Sequence, residues 1–332
     1  MLLPAPYDTW FPDAAFDGTY RFDESALRRV APVAAPPGLA DAWRRWRAQA
    51  RRVDAAPRTL SSEAIDGRTV SIVEHAGVDG IRLRSWVVGP ASGPARVGIV
   101  HSHGYGGRDA IDLDRLPDDA AAIFPVARGL PTLNTAVGAP EPVEEHVLAG
   151  LDDPAAYVLG LCARDLWLAA DALLTLTGDV PLYYVGESFG GGIGALALPW
   201  DDRYIGATFI VPSFGQYDER LAVPCLGSGE VVREHVAAHP EARERLRLFD
   251  ASSTLGFTEV PVRVEAALWD QYVPPPGQFG IANAARDLEL AVLPAGHAEY
   301  PGWDAVTADA VRGGRAHLAR ALRSASPPAG RR

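Results

Sequence analysis

The sequence predicts an α/β fold: a doubly wound, mostly parallel sheet with an N-terminal antiparallel hairpin and a helical insertion. Three observations carry this expectation. From residue 181 onward, short apolar runs alternate with stretches of helical period, and consecutive strands joined through helices lie parallel. Upstream, the period-two runs TVSIVEHAG and IRLRSWVVG meet across Gly77-Val78-Asp79-Gly80, the pattern of a hairpin. Between an apolar strand and a glycine-rich helix start stands a Gly-x-Ser-x-Gly pentapeptide.

A chain of 332 residues buries enough surface to fold without disulfides or structural metals. Hydrophobic residues make up 48% and charged residues 22%, an ordinary globular balance. The net charge of −11 argues against a nucleic-acid or anionic-membrane partner, because both need a basic face. All 31 cationic residues are arginine. Two cysteines, Cys162 and Cys225, cannot build a disulfide framework or a zinc knuckle and read as buried reduced thiols. The opening MLLPAPYDTW lacks a basic leader and a long apolar core, and apolar runs are strand-sized. The expectation is a soluble cytoplasmic protein.

Residues 1–60 read as a proline- and aromatic-rich arm followed by a Trp/Arg-rich helix. In LADAWRRWRAQARRV (39–53), Trp43, Trp46 and Ala50 share one face. A basic amphipathic helix can lie on a membrane. In so acidic a chain, docking of the indoles on the core or on a neighbouring subunit is the expectation. Residues 61–325 read as one domain. RVGIVHSHG (96–104) is a strand running into a glycine-rich loop, 110–122 a helix, and AAIFPVA (121–127) a strand. The stretch 153–177 is a helix, 181–188 a strand, and 204–212 a buried strand. Residues 215–257 are richer in charge and read as an insertion with a helix at 230–249. Strands at 260–268 and 288–294 flank a helix at 277–287, and 304–324 closes the fold as a helix. The tail 326–332 reads as disordered.

Gly186-Glu187-Ser188-Phe189-Gly190 has the flanks of a nucleophile elbow, which places Ser188 on a sharp strand-to-helix turn. A serine hydroxyl needs a base, and the base needs an orienting acid. In the α/β-hydrolase arrangement these follow in the order serine, acid, histidine. Four histidines follow Ser188. His235 and His239 lie on the inserted helix and His317 in the last helix, all expected in solvent. His297 alone follows a strand directly, in Pro294-Ala295-Gly296-His297, where such sheets place functional groups. Asp270 follows the preceding strand and is the expected acid, ahead of Asp218, Asp250 and Glu265. The oxyanion donors are the backbone N–H groups of Tyr105, in the His103-Gly104-Tyr105-Gly106-Gly107 loop, and of Phe189. His101 and His103 share a strand face but lack a third ligand at metal spacing, so no metal is expected.

The His103-Gly-Tyr-Gly-Gly-Arg108 run, the GESFGGG elbow, and Asp270-xxx-Pro274-Pro275 followed by Gly296-His297 resemble the acetyl xylan esterase / cephalosporin-C deacetylase family, carbohydrate esterase family 7. The segment His146-Val-Leu-Ala-Gly150-Leu-Asp-Asp leading to Tyr157 is similar as well. The likeness covers roughly residues 70–320. It implies a cofactor-free serine esterase acting on acetylated sugars and cephalosporin-like esters, assembled as a hexamer. It also implies that Tyr105 and Pro274 narrow the acyl pocket to acetyl size. Three positions depart from the family pattern: Phe189 replaces the usual glutamine, Arg128-Gly129-Leu130-Pro131 replaces Arg-Gly-Gln-Gly, and His297-Ala298-Glu299 replaces His-Glu. The pocket wall becomes more apolar. The alternatives are another α/β-hydrolase activity (on lactones, thioesters or peptide-like acyl groups) and a silent scaffold that kept the elbow.

Overall fold

A computed structural model describes residues 4–141 and 144–325; the expected disordered tail lies outside them. Among the described residues nine strands form one sheet: β1 (Arg58–Ile65), β2 (Arg68–Ala76), β3 (Arg82–Val88), β4 (Val97–Ser102), β5 (Ala120–Pro125), β6 (Leu182–Glu187), β7 (Tyr204–Ile210), β8 (Val262–Ala267) and β9 (Leu288–Leu293). Their spatial order is β1-β2-β3-β5-β4-β6-β7-β8-β9. The expected hairpin is β2–β3, paired Val70 to Val88 through Ala76 to Arg82. β5 pairs antiparallel with β3, and every later pairing is parallel. The central strands alternate between two cores. Leu182 and Tyr184 face one cluster, built with the helices Val158–Thr177 and Phe189–Ala197; Tyr183 and Val185 face the other, under the helix Trp303–Ala325.

The Trp/Arg helix spans Leu39–Ala50 and docks on the core. Trp43 is fully buried, donates its indole N–H to Leu248 O at 3.0 Å, and stacks parallel to Trp200. Of its arginines only Arg47 is drawn in, while Arg44, Arg45, Arg51 and Arg52 stay exposed. Arg47 pairs with buried Asp201 at 3.1 Å, which explains why a basic face is compatible with docking. Among the described residues no helix is long and apolar enough to cross a membrane.

Four sequence expectations need correction. Strand β1 was not expected; its residues are almost all exposed, so no alternation marks it. No helix forms at 110–122. There Asp112 accepts the Asp114 N–H at 2.8 Å, and Pro117 cannot donate, so the backbone is captured by local turns while Ile111, Leu113 and Leu116 pack irregularly on the second core. The helix at 230–249 divides at Pro240 into Ser228–Ala238 and Ala242–Leu246. His317, expected in solvent, is buried with Nδ1 2.6 Å from the Tyr183 hydroxyl, and burial pushes its pKa down to about 4.

The N-terminal arm lies over the carboxyl edge of the sheet. Tyr7, Trp269, Ala295 and Tyr300 form a third apolar cluster, with Phe11 stacked on Trp269 at 4.0 Å. Gly18 O accepts the Asp270 N–H at 3.0 Å, and Phe16 O accepts from the Gln271 carboxamide at 2.6 Å. The arm is therefore part of the support for the loop that follows β8.

Candidate active site

Ser188 sits between β6 and the helix Phe189–Ala197 with φ 52° and ψ −112°, a left-handed-side conformation that serine adopts only when its surroundings enforce it. The enforcement is steric and hydrogen-bonded. A Cβ on residue 186 would stand 2.5 Å from Gly190 O, and one on residue 190 would stand 2.8 Å from His103 O. The Ser188 N–H donates to Ile210 O at 2.8 Å, and Ser188 O accepts from Ser213 N at 2.9 Å and Gly192 N at 3.0 Å. The side chain is thereby presented at the edge of a cavity of about 360 Å³.

His297, also at positive φ (51°), stands in the loop after β9, and Asp270 stands just beyond β8. The three sequence-predicted side chains come together in one line. The hydroxyl Oγ of Ser188 is 2.8 Å from His297 Nε2, and His297 Nδ1 is 2.7 Å from Asp270 Oδ2. Because the carboxylate only accepts, Nδ1 carries the proton and Nε2 is left to accept from the serine. Asp270 is fully buried. Its Oδ1 accepts the N–H groups of Tyr272 (2.9 Å) and Val273 (3.0 Å), and its Oδ2 also accepts from Gln278 Nε2 at 2.9 Å. Burial acts to lower the His297 pKa, but the charge and hydrogen bond of Asp270, with the more distant charge of Glu187, outweigh it and raise the pKa above the ordinary imidazole value.

The competing acids are engaged elsewhere. Asp218 is exposed and pairs with Arg243, Asp250 caps the helix Ala251–Leu255, and Glu265 is locked to Arg115 and Arg263. His239 is exposed and His235 is half-buried beside it. His101 and His103 are buried at the base of the glycine-rich loop. His103 donates from Nδ1 to Gly104 O at 2.6 Å and accepts the Ala127 N–H at Nε2, so both ring nitrogens serve the backbone. Burial lowers its pKa to about 4, which keeps it neutral.

Phe189 is the first residue of the elbow helix, so its N–H has no acceptor within that helix. The loop carrying Tyr105 lies against the serine: a Cβ on residue 104 would be 4.0 Å from the Ser188 Cβ. The side chains of Tyr105, Phe189, Phe214, Leu226 and Val273 give the cavity its apolar wall. Pro274 is not in that wall. It is buried at the N-cap of the helix Pro275–Ala284, because the turn around Asp270 carries the chain inward after Val273.

Several contributors have no signature in the sequence. Gln278 holds Asp270 while its Oε1 accepts the Ala267 N–H at 2.8 Å. His146 donates from Nε2 to Arg128 O at 2.9 Å, so its Nδ1 accepts from the Tyr105 hydroxyl at 3.0 Å and holds that ring. Arg220, from the insertion, lines the cavity. Leu130 is fully buried in the core, and Ala298 packs near the arm's aromatic cluster.

No protein-family model matches the sequence, and no curated protein matches it. Solved structures do match. An acetyl xylan esterase from Paenibacillus sp. R4 superposes with a TM-score of 0.77 at 18% identity, over 88% of this chain and 99% of that one. Acetyl xylan esterase 1 from Thermoanaerobacterium sp. JW/SL YS485 gives 0.73 at 18% identity, over 94% and 100%. An acylaminoacyl peptidase from Pyrococcus horikoshii gives 0.58 at 12% identity, over 82% of this chain and 51% of that one. The fold is that of the α/β-hydrolases, as the elbow and the strand order already indicate.

Proposed function

We propose that the protein is a serine carboxylesterase that removes acetyl groups from small acetylated substrates. The observation that supports this most directly is the hydrogen-bonded line from Ser188 through His297 to Asp270, open to a cavity of about 360 Å³. The likeness to two acetyl xylan esterases over nearly their whole length supports the same reading.

Ser188 Oγ attacks the ester carbonyl while His297 Nε2 takes its proton. The developing oxyanion is held by the backbone N–H groups of Phe189 and Tyr105; each such donor is worth about 3–4 kcal/mol in the transition state. The C–O bond to the alcohol breaks, and His297 returns the proton to the leaving oxygen. Water then attacks the acetyl-serine with His297 again as base, releasing acetate. Asp270 keeps the imidazole in the Nδ1–H tautomer and stabilises its cation. No cofactor takes part. Tyr105, with Val273 in the place first expected of Pro274, limits the acyl group to short chains. An apolar wall with Phe189 rewards sugar hydroxyls less than a glutamine would. On the same reading the chain forms a homo-oligomer, a hexamer in the family it resembles, and works in the cytoplasm, where its two buried free thiols stay reduced.

Turnover of 4-nitrophenyl acetate, 4-nitrophenyl octanoate and an acyl-4-nitroanilide tests the proposal. Preferential acetyl ester cleavage is expected. Equal acetyl and octanoyl rates would remove the acetyl assignment. Anilide cleavage without ester cleavage would favour the amide-hydrolysing alternative suggested by the peptidase likeness, and a folded sample inert to all three would favour a silent scaffold.

A further inference from the structure

Buried guanidinium groups in this protein are handled in more than one way. Arg47, Arg115, Arg128 and Arg263 each meet a carboxylate at 3.1 Å or less. Arg164 and Arg220 meet none among the described residues; Arg164 donates instead to Ala155 O at 3.0 Å, and Arg220 is buried to 5% exposure. Of the acids near it, Glu230 and Asp250 are already engaged, and Glu187, in the same cavity wall, makes no ion pair with it. Glu230 holds Arg233 and the Cys225 N–H, and Asp250 accepts from Gln216 N, Tyr217 N and Ser252. The Arg220 guanidinium lies over the rings of Phe214 (5.5 Å) and Tyr217 (5.7 Å) and bonds the Cys225 thiol. Its Nη1 is buried with no hydrogen-bond partner, as are the hydroxyls of Tyr20, Tyr157 and Tyr217, all of which feel its charge. An isolated buried charge with an unused donor is costly unless an anion completes it.

Arg220 also lines the cavity that holds Ser188 and His297. We propose that Arg220 is a specificity residue that binds a carboxylate on the substrate, so the preferred esters are monoanions. This rests on the esterase reading above and names its substrate class. A planar guanidinium fork matches a carboxylate edge. Among the described lining residues it is the one permanently cationic side chain, Glu187 being the one carboxylate besides the triad, so the guanidinium is the group that can hold a substrate carboxylate. The aromatic faces of Phe214 and Tyr217 hold the fork in place. The carboxylate can belong to the acyl half or to the alcohol half, and the site accommodates only a small molecule of either kind.

Two substrate pairs separate these sources. Mono-4-nitrophenyl succinate against its methyl ester reads the acyl half; 4-acetoxybenzoate against methyl 4-acetoxybenzoate reads the alcohol half. In at least one pair the acid is expected to exceed its methyl ester in kcat/KM by about tenfold or more. Arg220→Gln is expected to erase that ratio and Arg220→Lys to keep part of it. The ratio is taken within each variant, so a general loss of activity cancels. No preference in either pair, or a preference that survives Arg220→Gln, overturns the proposal. Competitive inhibition of the wild-type enzyme by benzoate but not benzamide supports it without any variant, and equal inhibition by both counts against it. Organophosphonate labelling of Ser188 in the same samples separates the two readings. A labelled enzyme that hydrolyses neutral esters without an acid preference refutes the carboxylate site alone. An unlabelled one that turns over no ester refutes the esterase reading beneath it.

Discussion

Strand β8 and the loop after it carry two buried carboxylates that illustrate opposite uses of the same chemistry. Glu265, inside the strand, is gripped by Arg115 at 3.0 and 3.3 Å and by Arg263 at 3.0 Å. Asp270, just past the strand end, receives two backbone N–H groups, one carboxamide and one imidazole, and its only ion-pair partner among the described residues is His297. Two guanidinium groups neutralise Glu265 and fix it as a structural cross-link between β8 and the loop after β4. Neutral donors leave the charge of Asp270 undiminished, so it acts on the imidazole. Burial alone does not mark a functional acid; the charge of its donors does.

The largest expected effect removes what Asp270 ultimately serves. Ser188→Ala should lower kcat by about 10⁶-fold while changing folding stability by no more than about 1 kcal/mol, measured by ester turnover and chemical denaturation. Strong unfolding would assign Ser188 to the scaffold. Next, Asp270→Asn should keep the fold and lower kcat by about 10⁴-fold, because the wrong imidazole tautomer faces the serine. A mild loss would return Asp218 or Asp250 to consideration. Glu265→Gln should do the reverse, costing about 3–5 kcal/mol of stability by leaving the buried Arg115 guanidinium uncompensated, while Arg263 keeps Glu289, with kcat of the folded fraction intact. If it instead abolished turnover in a stable protein, the contrast between the two carboxylates would fail.

The smallest expected effect is a shift in a pH profile. The base must be neutral to work, and the His297 pKa is raised, so kcat/KM should climb with pH through an ionisation above the ordinary imidazole value. Glu187→Gln removes one of the raising charges and should move that limb down by a few tenths of a pH unit or about half a unit at most. An unmoved limb would remove Glu187 from the electrostatics of the site. The same raised pKa contributes folding stability that is complete below the unfolded imidazole value and lost as pH rises through the folded one.

Much of this was legible in the chain. Ser188, Asp270 and His297 each follow an apolar strand, and period-two runs and glycine flanks locate strand ends well. Residues whose meaning comes from partners distant in sequence were not legible. Gln278 reads as an ordinary helix residue until it meets Asp270, and Arg220 reads as surface charge until its acids are found engaged elsewhere. Pro274 misled because its neighbour Val273, one residue earlier, takes the place in the cavity wall. The irregular 110–122 segment shows the other weakness of pattern reading. Apolar spacing there suggested a helix, but side-chain capture of the backbone by Asp112 and the missing donor of Pro117 decided otherwise.

Peptide mapping after exposure to an organophosphonate tests the whole arrangement most directly. The adduct should form on Ser188 in the wild-type chain, and far more slowly when His297→Ala or Asp270→Asn disables activation of the hydroxyl. A folded wild-type sample that stays unmodified, or labelling at Ser188 that is indifferent to both substitutions, would contradict it.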